Sequence, residues 1–206
     1  MAKQIAGVYE RILECAKKEF LEKGYMDASL RTIASEAGTS TNSIYVRFRD
    51  KAGLFGAIVE PVFEEFMSRF LEVQETFHSF DSEVQKSRMG EYTEGEMMKL
   101  VDYIYDYFAE FRLLLDASYG TKFQDFVDRL VLVEEEYTWK WLEATNSRLE
   151  PEGELTKEFY HMMVTAYFEG IFEVVRHEMG REDAKKYISM MGKYHHAGFL
   201  AIAGIG

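Results

Sequence analysis

Only two prolines, Pro61 and Pro151, interrupt this chain of 206 residues, and apolar side chains recur along it at steps of three and four. Proline removes a backbone donor and clashes with the preceding helical turn, so a chain almost free of it can stay helical over long stretches. Steps of three and four bring apolar side chains onto one face of a helix. The two observations together predict an all-α fold. The pattern resumes after Pro61 with Val62, Phe63, Phe66, Phe70 and Val73, which predicts a helix bent at the proline and continuing beyond it.

Taken in order, Val8, Ile12, Ala16, Phe20 and Leu21 make one face of a first helix over about residues 7–23. Gly24 is placed to close it, and Tyr25 to seal its end. Between Ser29 and Lys51 two short patterns follow, separated by one glycine. Leu30, Ile33, Ala34 and Ala37 belong to the first, with Ser29 as N-cap. Gly38 supplies the positive φ that a tight exit needs. Ser40 or Thr41 caps the second, whose Ile44 and Phe48 face the first. Thr41, Asn42, Ser43, Tyr45 and Arg47 face away. This is a helix-turn-helix with hydrogen-bonding side chains on the outer face of its second helix. Asp50 caps a fourth helix carrying Leu54, Phe55, Ile58 and Val59.

Beyond residue 78 the pattern weakens. Residues 82–89 read as a short helix, and Gly90 and Gly95 flank a polar loop. A further helix carries Met97 to Leu115, and Thr121 caps the next, which bears Phe123, Phe126, Val127, Leu130, Val133 or Glu134, Tyr137 and Trp141. Pro151 and Gly153 end that segment. Residues 156–179 and 183–203 are apolar over more than half their circumference, which predicts a partner chain as well as an internal core. Phe168, Ile171, Phe172, Val175, Tyr194, Ala197, Gly198 and Ala201 are the expected interface of a homodimer built as an intermolecular four-helix bundle.

The net charge of −12 argues against nucleic acid until it is divided. Residues 1–55 hold nine basic against seven acidic side chains, a net +2, and residues 56–206 hold fifteen against twenty-nine, a net −14. Phosphate contact is therefore confined to the N-terminal quarter. The single cysteine, Cys15, offers no internal disulfide and suits a reducing cytoplasm. Residues 1–8 lack a signal-peptide core, and no apolar run reaches the length of a membrane span. The expectation is a cytoplasmic protein of two domains, 1–55 and 56–206.

Residues 12–58 resemble the N-terminal domain of the tetracycline-repressor family of bacterial regulators. The resemblance rests on ILECAKKEFLEKGY, LRTIASEAG, TSTNSIYVRF and RDKAGLF. It implies a three-helix DNA-binding domain followed by an α-helical ligand-binding and dimerisation domain. By position it implies phosphate contact from Ser29 and Thr32, and base contact from Thr41, Asn42 and Ser43 after the Ser40 cap. Tyr45 and Lys51 would bind the DNA backbone. Arg31 stands at a position that can reach a base, and a surface salt bridge is its other reading. Three departures stand out. Asn42 replaces a frequent glycine, Arg47 a frequent His or Tyr, and Gly53 a frequent acidic capping residue. Asn42 can pair with adenine and Arg47 with guanine or phosphate. Gly53 is expected to weaken the cap and loosen the fourth helix.

Phe66, Tyr103, Tyr107, Phe111, Tyr119, Phe123, Tyr137, Trp141 and Tyr167 are candidates to line a pocket for a lipophilic effector, although the same spacing suits a plain core. Glu173 and His177 lie four apart, with His195 and His196 on the next helix. Adjacent histidines diverge on a helix and no HExxH or paired CxxC spacing exists, so no metal or other cofactor is expected. No nucleophile elbow, P-loop or dinucleotide fingerprint is present either. The reading is a ligand-responsive, homodimeric repressor on a palindromic operator. Its alternatives are a DNA-independent helical scaffold and an α-helical enzyme, for which no convergent polar constellation is visible.

Overall fold

Ser29 and Ser40 each turn a side-chain oxygen back onto the backbone N–H three residues ahead, that of Thr32 at 3.4 Å and that of Ser43 at 3.2 Å. These bonds satisfy donors that a helix start leaves unpaired. They open α2 (Leu30–Glu36) and α3 (Thr41–Phe48) in a computed structural model that describes residues 2–145 and 156–203, with side chains from residue 7 onward. The described residues form nine helices and no strand. Pro151 and Gly153 lie outside them.

One compact unit comprises Met1–Glu65 with Tyr107–Phe126. In it α1 (Ala2–Asp27) carries Ile12, Ala16 and Phe20 into a core shared with Ile33, Ile44, Leu54 and Phe55. Gly24 leaves helical geometry at φ 71, and Tyr25 then stacks back on Phe20 at 6.1 Å. Side chains buried this fully contribute about 1.5–3 kcal/mol each. The buried carboxylates Glu19 and Glu110 both have partners. Glu19 accepts the Ser29 backbone N–H at 2.9 Å, so a residue of α1 helps close the start of α2. Lys17 forms an ion pair with the buried Glu110 of α6 (Phe108–Asp116). The Tyr25 N–H donates to the Ala117 carbonyl at 3.0 Å.

The second unit comprises Phe66–Asp106 with Val127–Gly206. It takes the C-terminal part of α4 (Lys51–His78), with α5 (Ser82–Asp106), α7 (Phe126–Ala144), α8 (Lys157–Arg176) and α9 (Arg181–Ile202). Arg181 and Lys185 on α9 reach Asp102 on α5, and the Tyr105 hydroxyl donates to the Met179 carbonyl at 2.7 Å. Helix α4 runs unbroken through Pro61 and contributes residues to both units.

Three expectations are corrected. The polar loop between Gly90 and Gly95 is helical, inside α5. Each glycine costs a helix about 1 kcal/mol relative to alanine. Here Tyr92, stacked on Phe77 at 5.5 Å, and Gln85, which donates to the Phe80 carbonyl, anchor the segment from either side. The helix expected from Met97 to Leu115 is broken at Tyr107 (φ −122, ψ 40), where the chain passes from one unit to the other. Apolar spacing continues across that point, so periodicity does not register a change of partners. Thr121 does not cap α7. Its hydroxyl donates to the Ser118 carbonyl and accepts the Phe123 N–H, which makes a turn, and α7 starts at Phe126.

Candidate functional site

The outer face of α3 is built from its buried one. Ile44 and Phe48 are fixed in the core, so the residues between them must face water. Asn42 is exposed, Tyr45 is 51% exposed, and Thr41 and Ser43 are half-buried at the helix start. Arg47 lies back along the helix, donating to the carbonyl and hydroxyl of Ser43. Arg31 and Thr32 are exposed on α2, while Ser29 and Ser40 are engaged as caps. Val46 is 75% exposed on α3 and was not singled out by sequence. An apolar residue left bare on a helix of hydrogen-bonding neighbours was the available signal, since a methyl group suits thymine.

Lys51 is committed more deeply than its sequence position suggests. Its ammonium donates to the carbonyls of Met26 (2.8 Å) and Ala28 (3.1 Å) and lies 4.9 Å from the centre of the Tyr25 ring. A lysine has three N–H donors, so one remains for an anion. Gly53 corrects an expectation. Asp50 Oδ1 accepts its N–H at 2.7 Å, so the cap is made. A Cβ at residue 53 would lie 1.9 Å from the Phe48 carbonyl oxygen, because Arg49 turns the chain with φ 71. Only glycine fits between α3 and α4 there.

The second unit holds a cavity of about 250 Å³ that is partly open to solvent. Of the nine aromatic candidates, Tyr137, Trp141 and Tyr167 line it. Phe66 and Tyr103 are buried against each other in the same unit at 6.2 Å, apart from the cavity. Phe111 and Phe123 belong to the core of the first unit, and Tyr107 and Tyr119 are exposed there. Sequence reasoning missed Phe70, Phe77, Tyr160, Phe168 and Phe199 on the walls, and with them Gln74, His78, Glu134 and His195.

Polar groups of that wall are mostly engaged. His78 has both ring nitrogens at carbonyls, of Gln74 (2.8 Å) and Tyr137 (2.9 Å). Tyr160 shares a hydrogen bond of 2.6 Å with Thr138. His195 stacks on Tyr167 with ring centres 4.3 Å apart, and burial brings its pKa down to about 4, which keeps it neutral. Burial pushes the phenols of Tyr160 and Tyr167 upward. Glu134 accepts one hydrogen bond, from Gln74 Nε2 at 2.7 Å, and burial raises its carboxyl to about 7. The Trp141 indole N–H is buried without a partner.

The outer stripes of α8 and α9 are distinct from their inner ones. Phe168, Ile171, Phe172 and Val175, expected at a dimer interface, are covered by their own chain to 3% exposure or less. Tyr187, Met190, Tyr194, Ala197 and Ala201 on α9 are exposed at steps of three and four, with Gly198 half-buried beside them, and Met162 is exposed on α8. Among the described residues no group of three or more His, Cys, Asp or Glu could hold a metal ion, and no helix is long and apolar enough to cross a membrane.

Comparison with known proteins bears on the first unit most directly. The family model described as "Bacterial regulatory proteins, tetR family" matches residues 12–58. An HTH-type transcriptional regulator of Staphylococcus aureus (strain bovine RF122 / ET3-1) is 34% identical over 77 residues, covering 37% of this chain and 41% of that one. The uncharacterized HTH-type transcriptional regulator YvdT of Bacillus subtilis (strain 168) is 42% identical over 60 residues, 29% of this chain and 31% of its own. The matched region thus spans less than half the length of these relatives. Among solved structures, NalD, the secondary repressor of the MexAB-OprM multidrug efflux pump in Pseudomonas aeruginosa, superposes with a TM-score of 0.57. It is 20% identical, over 93% of this chain and 96% of that one. That likeness is one of fold.

Proposed function

We propose, from the premise that this chain belongs through residues 12–58 to the tetR family of bacterial regulatory proteins, that it is a ligand-responsive transcriptional repressor acting as a homodimer on a palindromic operator. The observation that carries the reading is the outer face of α3. There Asn42, Tyr45 and Val46 are held exposed on a helix whose opposite face is locked into the core. Such a helix fits the major groove. Asn42 presents a donor and an acceptor to adenine, Val46 a methyl to thymine, and Thr41 and Ser43 hydroxyls to either strand. Tyr45, Thr32 and the remaining N–H of Lys51 bond phosphates, and Arg31 reaches a base or phosphate beside them. Arg47, now folded onto Ser43, is a reserve donor for phosphate or guanine.

Two copies would meet through the exposed stripe of α9, with Tyr194, Ala197 and Ala201 central and Met190 beside them. The buried residues Phe168, Ile171, Phe172 and Val175 would support that face from beneath. An effector in the cavity would act on α4, since Phe70, Gln74, Phe77 and His78 line the cavity and Lys51 opens the same helix in the reading unit. A ligand preferring one setting of α4 over another changes operator affinity by its differential binding energy. The setting is cytoplasmic.

The test is selection of duplexes from a random pool followed by anisotropy titration. The reading requires one preferred palindrome, binding that weakens as salt rises, and loss of that binding in a Tyr194→Asp variant that sediments as a monomer. No sequence preference at any salt concentration would sink it.

A further inference from the structure

The cavity of the second unit holds an acid without a counter-ion. Glu134 meets the amide of Gln74 and no basic side chain within ion-pair distance among the described residues. The one lysine on the cavity wall, Lys193, is engaged by Glu94 at 3.5 Å and is largely exposed. His195 is stacked on Tyr167, and both ring nitrogens of His78 are directed at the carbonyls of Gln74 and Tyr137 and not at Glu134. Aromatic rings, Tyr137, Trp141, Tyr160 and Tyr167 among them, share the walls with aliphatic and methionine side chains. A carboxylate removed from water without a positive partner is costly, and aromatic faces attract cations. Both features favour the same occupant. An anion would be repelled by the ionised Glu134 and a neutral guest would gain nothing from it, whereas a cation pairs with it.

We infer that this cavity takes an organic monocation with an apolar body, Glu134 supplying the counter-charge and the surrounding rings the walls. Gln74 takes Oε2, which leaves Oε1 available to a guest. The inference rests on the regulator reading only in naming the guest as the effector, because binding itself needs the second unit alone.

Benzyltrimethylammonium and its neutral carbon isostere neopentylbenzene are the probes, titrated into the full-length chain by calorimetry and by tryptophan fluorescence. The cation binds at least about tenfold tighter than the isostere. Glu134→Gln lowers affinity for the cation at least about tenfold and leaves the isostere within about twofold. If the variant does not fold, the pair of probes on the wild-type protein still separates the outcomes. Equal affinity for the two probes, no binding of either, or an undiminished preference in the folded variant overturns the inference. Operator binding is measured on the same samples. Its absence alongside a cation preference overturns the regulator reading alone, and its presence without that preference overturns this inference alone.

Discussion

In the first unit the polar side chains proposed to carry function lie outside, with their positions set by what is buried beneath them. Ile44 and Phe48 determine where Asn42 and Tyr45 face, and Ser29, Ser40 and Glu19 close helix starts. In the second unit the arrangement is inverted. Glu134, Gln74, Tyr160 and His195 lie along a recessed, partly open cavity, and an exposed apolar stripe on α9 faces outward. Side chains on an exposed face stay hydrated. Groups along a recessed cavity are held partly desolvated, and the raised carboxyl of Glu134 and the lowered imidazole of His195 reflect this. The contrast teaches where each unit is sensitive: the reading unit to steric fit, the cavity unit to charge.

The largest effect expected from breaking this contrast comes from Gly53→Ala. With 1.9 Å between the new methyl and the Phe48 carbonyl oxygen, the turn between α3 and α4 must shift, at a cost of about 3 kcal/mol. Chemical denaturation should detect the loss, and operator affinity should fall while probe binding in the cavity persists. Loss of both together would mean the units are not separately sensitive. Next comes Asn42→Ala, with a loss of about 2 kcal/mol in operator affinity confined to the half-site base it reads, and no change in the melt. Uniform weakening on every duplex would move Asn42 from base reading to backbone contact.

Glu134→Gln sharpens the other side of the comparison. Between its ordinary value of 4.5 and the folded value of about 7, the carboxyl holds its proton more tightly in the folded chain than in the unfolded one. Stability present below the lower value is therefore lost as pH rises through the upper one. Full linkage between those values is worth about 3 kcal/mol, and the partial exposure of the side chain reduces it. The variant should therefore be more stable than wild type by about 1–2 kcal/mol at about pH 8, with little difference at about pH 4.5, as read by urea denaturation. His195 pulls the other way, its contribution being lost as pH falls from 6.5 through about 4, and is common to both proteins. The smallest effect is that of Lys51→Ala. Loss of its bonds to Met26 and Ala28 lowers stability by about 1 kcal/mol, and loss of its phosphate contact flattens the salt dependence of operator binding.

The same contrast decides how much of the molecule is legible in its sequence. The reading unit is written locally, since Ser29 to Lys51 holds two caps, a glycine at φ 64 and two buried anchors within one short stretch. Local spacing therefore suffices to find it. Gly53 escapes because the carbonyl it must avoid becomes close only once Arg49 takes a positive φ, which no periodicity encodes. The cavity is assembled from α4, α5, α7, α8 and α9, so its members lie far apart in sequence. Spacing marks Tyr137 and Trp141 as inward but cannot separate them from Phe111 or Phe123, which are inward in the core of the other unit. Glu134 carries the best available clue, an acid on the apolar stripe of α7 between Leu130 and Tyr137. The break at Tyr107 is illegible because apolar residues continue across it at helical steps.

The central claim is that the outer face of α3 reads DNA sequence. Its most direct measurement is anisotropy of a selected operator duplex and a scrambled duplex, titrated with wild type and with the Asn42→Ala, Tyr45→Ala double variant at two salt concentrations. The account predicts that wild type prefers the operator by about 10³ or more, and that the folded, dimeric double variant binds both duplexes equally and weakly. Equal affinity of wild type for the two duplexes, or an undiminished preference in the double variant, would contradict it.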